Sequence, residues 1–419
     1  MTLFLLIIFI AGYLLIALEQ KVHVNKSGTA LLTGTLLWVI YKIGRPQFPV
    51  EGELAHQIEE IAGILFFLMG AMTIVEIIDS HDGFTMITNR INTRSKIKLL
   101  WIIGTITFFL SALLDNLTTA IVMVSLVRKI LPEKNERLFF AGIIVIAANS
   151  GGAWSPIGDV TTTMLWIGGK VSELNIMKTL IIPSMVSLII PLIYVSTFER
   201  KLLSGELPKS TGKKLGKENK LIFFLGAGGL VMVPVLKLLT GLPPYAGMML
   251  ILGLLWIIAD VIHRKKDEEQ KMTFSPANAI RRIDMPSLLF FLGILLAVGA
   301  LQSLHILNDF ALWLDATFGN KDIIVMLIGM LSAVVDNVPL VAATMGMYDL
   351  PMDHKIWEFI AYCTGTGGSI LVIGSAAGVA AMGIEKIDFI WYLKKISLIA
   401  LIGYFAGAFV YLAQFAFLN

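Results

Sequence analysis

The chain has 419 residues, of which 56% are hydrophobic and only 15% charged, with a mean hydropathy of +0.80. This balance excludes an ordinary soluble domain and predicts an all-α polytopic membrane protein. A net charge of +3 is ordinary when Lys and Arg sit in loops facing anionic lipid, so no nucleic-acid partner is expected, and the single cysteine, Cys363, excludes an internal disulfide and a CxxC redox pair.

Hydropathy divides the chain into two similar halves. No basic residue precedes Lys21, so we expect the first apolar stretch to remain as a helix rather than act as a signal peptide. Residues 199–220 are rich in lysine and are interpreted as a solvated cytoplasmic linker between repeats 1–198 and 221–419. The predicted stretches are 2–18, 26–44, 58–78, 98–131, 138–169 and 175–198, then 221–239, 243–262, 286–304, 322–349, 356–383 and 387–417.

Each half contains one apolar stretch of awkward length with an Asp-Asn pair near its middle. Residues 98–131 hold Asp115-Asn116, and residues 322–349 hold Asp336-Asn337. As a single helix the first would measure about 50 Å, too long for a hydrocarbon core of about 30 Å, whereas each leg alone is short. Basic residues flank both of its ends, which places both ends on one face of the membrane. Both stretches are therefore predicted to be re-entrant hairpins.

The stretch after each hairpin is interrupted by Gly, Asn, Ser, Thr or Pro. Aligning Gly151-Gly152 with Gly367-Gly368 also superimposes an Ile-Gly pair of each half, at a shared offset of 216 residues. Interruptions at corresponding places in two halves indicate a transporter binding site, because half-helix ends and unwound carbonyls can coordinate ions. Broken helices are therefore predicted at 138–169 and 356–383.

The number of crossings predicts how the halves are inserted. With each hairpin counted as no crossing, each half crosses five times, so the second half should be upside down relative to the first. With the N-terminus outside, the predicted cytoplasmic loops receive 26 of the 33 Lys and Arg residues. The predicted fold is thus two inverted-topology repeats, each with five transmembrane helices, one of them broken, and one re-entrant hairpin, whose tips meet near the midplane.

Polar side chains concentrate at the tips and breaks. A carboxylate at bilayer depth costs roughly 2.5–3.5 kcal/mol and therefore marks an ion or substrate path. Carboxylate, amide and hydroxyl oxygens are ligands that a hard cation such as Na+ prefers. The candidate ion- and proton-binding residues are Asp115, Asn116, Thr118, Thr119, Asn149, Ser150, Asp159, Thr161, Thr162, Asp336, Asn337, Thr366 and Ser369; the candidate Na+ ligands among them are Asp115, Asn116, Asn149, Asp159, Asp336 and Asn337.

Competition between a proton and a cation for these carboxylates would give exchange. Our hypothesis is that Asp115 and Asp336 are both essential and that Asp159 tunes or shares the cation site. In the alignment of the halves, Asp159 corresponds to Ser375 and Asn149 to Gly365, so the first half holds more charge.

The runs DNLTTAIVM, AANSGGAWSPIGDVTTTMLW and SAVVDNVPLV resemble the signatures of NhaD-type sodium/proton antiporters, within the wider ion transporter superfamily. The resemblance implies exchange of H+ for Na+ or Li+ in pH homeostasis at alkaline pH, and a homodimer in the lipid of a prokaryotic cytoplasmic (inner) membrane. It implies neither enzymatic activity nor a cofactor. It also suggests an elevator-like movement of the hairpins and broken helices. The family's polar motif residues carry over to Asp115, Asn116, Asn149, Asp159, Thr161, Thr162, Asp336, Asn337, Thr366 and Ser369, of which Thr366 stands where the family usually has Ser.

Structural roles compete with these functional ones. An Asp-Asn pair is also a good helix N-cap, here at the start of a second hairpin leg. The paired glycines can simply permit close helix packing. Thr161, Thr162 and Thr163 can bond to their own helix backbone.

Rival functions remain open at this point. An organic-anion carrier is disfavoured, because Asp115 and Asp336 would repel its substrate. An arsenite or antimonite exporter of the same fold is the nearest rival. An intramembrane aspartyl protease is remote, since Gly158-Asp159 matches half of its GxGD signature and Pro156 replaces the first Gly. Interior carboxylates in inverted repeats favour alternating access over a channel.

Overall fold

The computed structural model describes residues 2–17, 19–22, 24–88, 93–200, 203, 216–264, 266–267 and 274–418. The helices of the first half are α1 Thr2–Ala17, α2 Glu19–Val22, α3 Lys26–Gly44, α4 Val50–Ser80, α5 Thr85–Thr88, α6 Lys96–Ser111, α7 Asn116–Ile130, α8 Lys134–Ala153, α9 Val160–Ile167 and α10 Glu173–Phe198.

The second half follows with α11 Lys217–Thr240, α12 Pro244–His263, α13 Pro276–Arg282, α14 Met285–Ser303, α15 Ile306–Phe318, α16 Lys321–Leu331, α17 Asn337–Met347, α18 Lys355–Gly367, α19 Ala376–Glu385, α20 Phe389–Tyr392, a π-helical turn at Leu393–Ser397, and α21 Leu398–Leu418. Most of the predicted linker 199–220 lies outside the described residues.

Several helices have the length and composition of membrane spans. They are α4, α10, α11, α12, α14 and the continuous segment Phe389–Ala416, six among the described residues. Large apolar side chains point outward along them, such as Phe198 at 74% exposure and Leu239 at 75%. Hydrocarbon rather than water suits such a surface, so the chain is a multi-pass membrane protein.

Short turns or breaks separate four pairs of consecutive helices. Residues 112–115 join α6 to α7, and residues 332–336 join α16 to α17. Residues 154–159 separate α8 from α9, and residues 368–375 separate α18 from α19. We call the first two pairs the first and second hairpin, and the other two the first and second broken helix.

Four of the described helices lie outside the predicted stretches, namely the short helices α2, α5 and α13 and the longer α15. Helix α15 is amphipathic and buries only Leu307 and Ala311, and with 13 residues it is too short to span a membrane.

The first segments of the two broken helices form the centre of the fold. Every residue of α8 from Leu138 to Ala153 is buried, as is every residue of α18 from Ile356 to Gly367. A helix that is buried all round has protein on every side, so polar residues near its end must find partners inside the protein. This placement brings the breaks to the interior.

Candidate ion-binding site

Both hairpins dock on the broken helices through equivalent serine contacts. Ser111, at the end of α6, donates from Oγ to the Ala148 carbonyl at 2.6 Å. Ser332, after α16, donates from Oγ to the Thr364 carbonyl at 2.8 Å. The end of each hairpin's first leg is therefore fixed to the last turns of α8 or α18.

Two of the paired glycines lie where these elements touch. A Cβ atom added at Gly151 would collide with the carbonyl oxygen of Phe108, and one added at Gly367 would collide with that of Gly329. Glycine is required at both positions because the obstacle is backbone, which cannot rotate away. The packing role considered for these glycines is confirmed.

Asp159 lies at the point where the first break meets the second hairpin. Its side chain is 2% exposed. Oδ2 accepts hydrogen bonds from Thr161 Oγ1 at 2.9 Å and from Asn337 Nδ2 at 3.1 Å. Both partners are neutral donors, which compensate a buried negative charge less fully than a cation does. The three side chains form a buried, oxygen-rich corner that we call the Asp159 corner.

A chain of neutral side chains joins the first tip to both breaks. Asn116 Nδ2 donates to Asn149 Oδ1 at 3.2 Å, and Asn149 Nδ2 donates to Ser375 Oγ at 2.9 Å. Ser375 Oγ in turn accepts the Gly378 amide at the start of α19, at 3.2 Å. This group, the Asn149 corner, contains Asn116 and Ser375, the counterparts of Asn337 and Asp159, and has no carboxylate. The asymmetry expected from the alignment thus appears as one charged and one neutral corner.

Asp115 caps its own helix and faces a small cavity. Its carboxylate accepts Thr118 N at 2.8 Å and Thr118 Oγ1 at 2.6 Å, so the capping role is confirmed. Asp115 and Asn116 line a cavity of about 60 Å³ together with Phe67 and Ser287, among others. On this measure a cavity needs roughly 10–15 Å³ to hold one water molecule, so water has room beside the first tip.

Asp336 is the counterpart of Asp115 but has a different neighbour. Its Oδ1 accepts Val338 N at 3.3 Å, an N-cap contact, and its Oδ2 lies 3.4 Å from the Lys26 ammonium. The sequence does not predict this ion pair, because Lys26 lies 310 residues away, at the start of the predicted stretch 26–44. Ser111 and Ser332 were also missed, although the register between the two Asp-Asn pairs relates them to each other.

The remaining predicted residues divide into two groups. Three hydroxyls donate to a carbonyl three or four residues earlier in the chain. Thr366 donates to Tyr362, Ser150 to Ile146, and Ser369, in the second break, to Thr366. The hydroxyls of Thr119 and Thr162 are buried with no hydrogen-bond partner among the described residues. Buried unpaired hydroxyls are uncommon, so these two oxygens could accept or ligate an ion or water.

Asn149→Ala is expected to destabilise the fold, because it removes both links of the Asn149 corner and leaves Asn116 and Ser375 facing an apolar methyl. Unpaired buried groups cost about 1–3 kcal/mol each, so thermal unfolding in detergent should shift down by several degrees. Thr317→Ala is the control, since that exposed hydroxyl bonds only to its own helix. Equal unfolding temperatures for the two variants would contradict a linking role for Asn149.

The described carboxylates, histidines and cysteine do not form a site for a resident metal ion. No group of three such side chains in the described part of the chain could hold one. Binding of a cation at the Asp159 corner would therefore depend on one carboxylate together with amide, hydroxyl and carbonyl oxygens, the donor set of a weakly held monovalent ion.

Comparison with known proteins places the chain in a family. A family model described as a citrate transporter (CitMHS) matches residues 13–357. Sodium/proton antiporter 1 of Arabidopsis thaliana is 52% identical over 97% of this chain and 71% of its own length. The Na+/H+ antiporter NhaD of Alkalimonas amylolytica is 33% identical over 97% of this chain and 89% of its own length. The chain belongs to the NhaD-type sodium/proton antiporters. The resemblance drawn from the three motif runs is thereby confirmed.

The fold has a counterpart among solved structures. The YdaH transporter of Alcanivorax borkumensis superimposes with a TM-score of 0.54 over 87% of each chain, at 13% sequence identity. An identity this low relates the folds only, and the likeness agrees with an all-helical polytopic fold.

Proposed function

We propose that this protein is a secondary active transporter that exchanges Na+ or Li+ for H+ across a membrane. Relatives named as sodium/proton antiporters, which align with 97% of the chain, support the exchange. The structural observation that carries the proposal is the Asp159 corner, a buried carboxylate held by Asn337 and Thr161 where a helix break meets a hairpin tip.

The chemistry of the Asp159 corner suits competition between two cations. A carboxylate binds a proton or a metal cation, and the two exclude each other because each neutralises the same charge. With Na+, the oxygens of Asp159, Asn337 and Thr161 would serve as ligands. With H+, the neutral carboxyl would keep its hydrogen bonds to the same neighbours. Exchange requires no further chemistry, and we propose no enzymatic activity and no cofactor.

We keep the proposal that the tip carboxylates Asp115 and Asp336 take part in exchange. Asp115 faces the small cavity and would receive ions from it, while Asp336 lies against Lys26. Asp115→Asn and Asp336→Asn are each expected to reduce Na+-dependent exchange at least tenfold, since each removes a charge from the path. Transport by vesicles measures this, and normal exchange in both variants would exclude a mechanism shared between the tips.

We also propose that the two halves are inverted-topology repeats with re-entrant hairpins. Matching contacts support the repeat, because Ser111 and Ser332 each stand four residues before an Asp-Asn pair, and their acceptors Ala148 and Thr364 are related by the offset of 216 residues. Helices α10 and α21 support the inversion, since the alignment pairs them and they pack antiparallel. In that contact Gly403 lies against Ser187 and Gly407 lies against Pro183.

Contacts between helix ends point the same way. Arg137, near the start of α8, pairs with Glu385 at the end of α19, with Nε 2.9 Å from Oε2. Asp353, just before α18, donates its amide to the carbonyl of Lys170, just after α9, at 2.9 Å. Each broken helix thus begins where the other ends, which supports opposite orientations in the membrane.

Assembly and location are proposed from the resemblance. We propose a homodimer in lipid, with the hairpins and broken helices moving as a unit against the other helices. We propose a prokaryotic cytoplasmic membrane as the location. A membrane of a plant cell is the alternative, because the relatives come from both bacteria and Arabidopsis thaliana. Cross-linking and fractionation test these points.

Proton movement in everted vesicles or proteoliposomes tests the function. A pH gradient is followed with a pH-sensitive dye while NaCl, LiCl, KCl, arsenite or citrate is added between pH 7 and 9.5. Dissipation by Na+ or Li+ is the expected result. If alkali cations do not dissipate the pH gradient and arsenite is exported, the metalloid exporter is favoured. Transport of citrate, the substrate in the family model's description, would favour the organic-anion carrier.

A further inference from the structure

Lys26 places its ammonium group at the second hairpin tip. Its ammonium lies 3.4 Å from Asp336 Oδ2 and 4.6 Å from the centre of the Phe290 ring on α14. Lys26 is the first residue of α3, whereas Asp336 caps α17. The ion pair therefore connects the hairpin tip with a different part of the protein.

The base of Lys26 is firmly held. Ser27 Oγ donates to the Pro286 carbonyl at 2.6 Å, and Trp38 Nε1 donates to the Leu296 carbonyl at 2.9 Å. Between these bonds, Gly34 packs directly on the backbone of Gly293. Helices α3 and α14 thus form one rigid pair, and the reach of the lysine side chain alone decides where its charge lies.

The ion pair between Lys26 and Asp336 is weak enough for a cation to displace the ammonium. The Lys26 and Asp336 side chains remain 30% and 19% exposed, and their separation of 3.4 Å exceeds the roughly 2.7–2.9 Å of a strong charge-assisted hydrogen bond. A partly solvated pair of this kind stabilises a protein only slightly, so a competing cation can displace it. Sodium carries the same charge as the ammonium and prefers the same carboxylate.

We propose that Lys26 is a tethered competitor for Na+ at Asp336. Its ammonium neutralises the carboxylate when the site is empty and withdraws along Phe290 when Na+ binds. Lys26 is then a positioning residue that weakens Na+ binding and allows the unloaded tip to move without an exposed negative charge. This inference rests on the proposed function, because it takes Asp336 to be part of the Na+ path.

A trade-off between affinity and turnover follows. In Lys26→Gln, Na+ has no competitor at Asp336, so the KM for Na+ should fall roughly two- to fivefold, the range expected for a partly exposed pair. The maximal rate should also fall, because the unloaded tip carries an unpaired charge. Lys26→Arg should restore both values towards wild type. A lysine with a merely structural role would lower the rate without improving affinity.

The experiment measures exchange in proteoliposomes against NaCl concentration, and the Na+-induced shift in unfolding temperature of the same purified variants. Lys42→Gln is the matched control, since Lys42 lies at the other end of α3 in an exposed ion pair with Glu51. If Lys26→Gln does not reach the membrane, Lys26→Met replaces it and keeps the stem that packs on Phe290.

A lower KM and a larger Na+-induced shift in Lys26→Gln or Lys26→Met would support the proposal. An unchanged or higher KM in a folded variant would overturn it while leaving the antiporter function intact. Failure of the proposed antiport function would be recognised separately, because the wild-type protein would then show no Na+-dependent exchange.

Discussion

Asp159→Asn is expected to reduce Na+- and Li+-dependent proton exchange at least roughly a hundredfold. The carboxylate is 2% exposed and is the charged member of the Asp159 corner. A unit charge about 4 Å from a cation contributes about 4 kcal/mol at an effective dielectric constant of 20, and this term is lost when the carboxylate becomes an amide. The amide oxygen can still accept from Asn337 and Thr161, so the local packing should remain.

Asp159→Asn removes the negative charge but keeps the local packing, so a loss of exchange can be attributed to the charge. The unfolding temperature of purified Asp159→Asn should stay within a few degrees of wild type, while exchange in proteoliposomes disappears. Asp388→Asn is the matched control, because Asp388 caps a short helix at the exposed surface and accepts the Trp391 amide at 2.9 Å. Exchange by Asp159→Asn within twofold of this control would exclude Asp159 from the ion path.

Gly151→Ala and Gly367→Ala are expected to destabilise the transporter strongly. Each added methyl group would meet the carbonyl oxygen of a neighbouring hairpin leg, at Phe108 or at Gly329. Overpacking a dense interior costs about 1–3 kcal/mol, and it costs more where backbone rather than a flexible side chain must move. Gly151→Ala would therefore push the first hairpin away from the first broken helix, and Gly367→Ala would push the second hairpin away from the second.

Gly228→Ala provides the control for these variants. Gly228 is also inside a helix, but an added Cβ would have no neighbour within 4 Å. Unfolding temperature and monodispersity after detergent extraction should match wild type for Gly228→Ala and drop for the other two. A Gly151→Ala protein that unfolds within 1 °C of Gly228→Ala would show that the hairpin can move aside at little cost.

The two Asp-Asn pairs show how far sequence reasoning reached. Their positions inside apolar stretches predicted turns at membrane depth, and the helices do end at Ser111 and begin again at Asn116. Helix boundaries were predictable because apolar length, glycine, proline and capping residues act locally along the chain. The same local signals located the breaks after Ala153 and Gly367.

Differences between equivalent residues could not be read locally. The sequence treats Asp115 and Asp336 alike, yet the first faces a cavity and the second lies against Lys26. Asp159 was expected to tune or share the cation site, but the sequence did not predict its contact with Asn337 of the second hairpin. Partners that lie far apart in sequence leave no periodic signal by which they can be recognised.

Hydropathy and the spacing of polar residues by themselves determined the membrane class, the helix breaks and the candidate ligands. Burying a polar group in hydrocarbon is costly, so polar residues inside apolar stretches mark turns, breaks or ion-binding positions. Tertiary structure alone decided which of those ligands meet. Close packing at Gly151 and Gly367 brings each hairpin against a broken helix, and the resulting contacts assign the charge to the Asp159 corner and leave the Asn149 corner neutral.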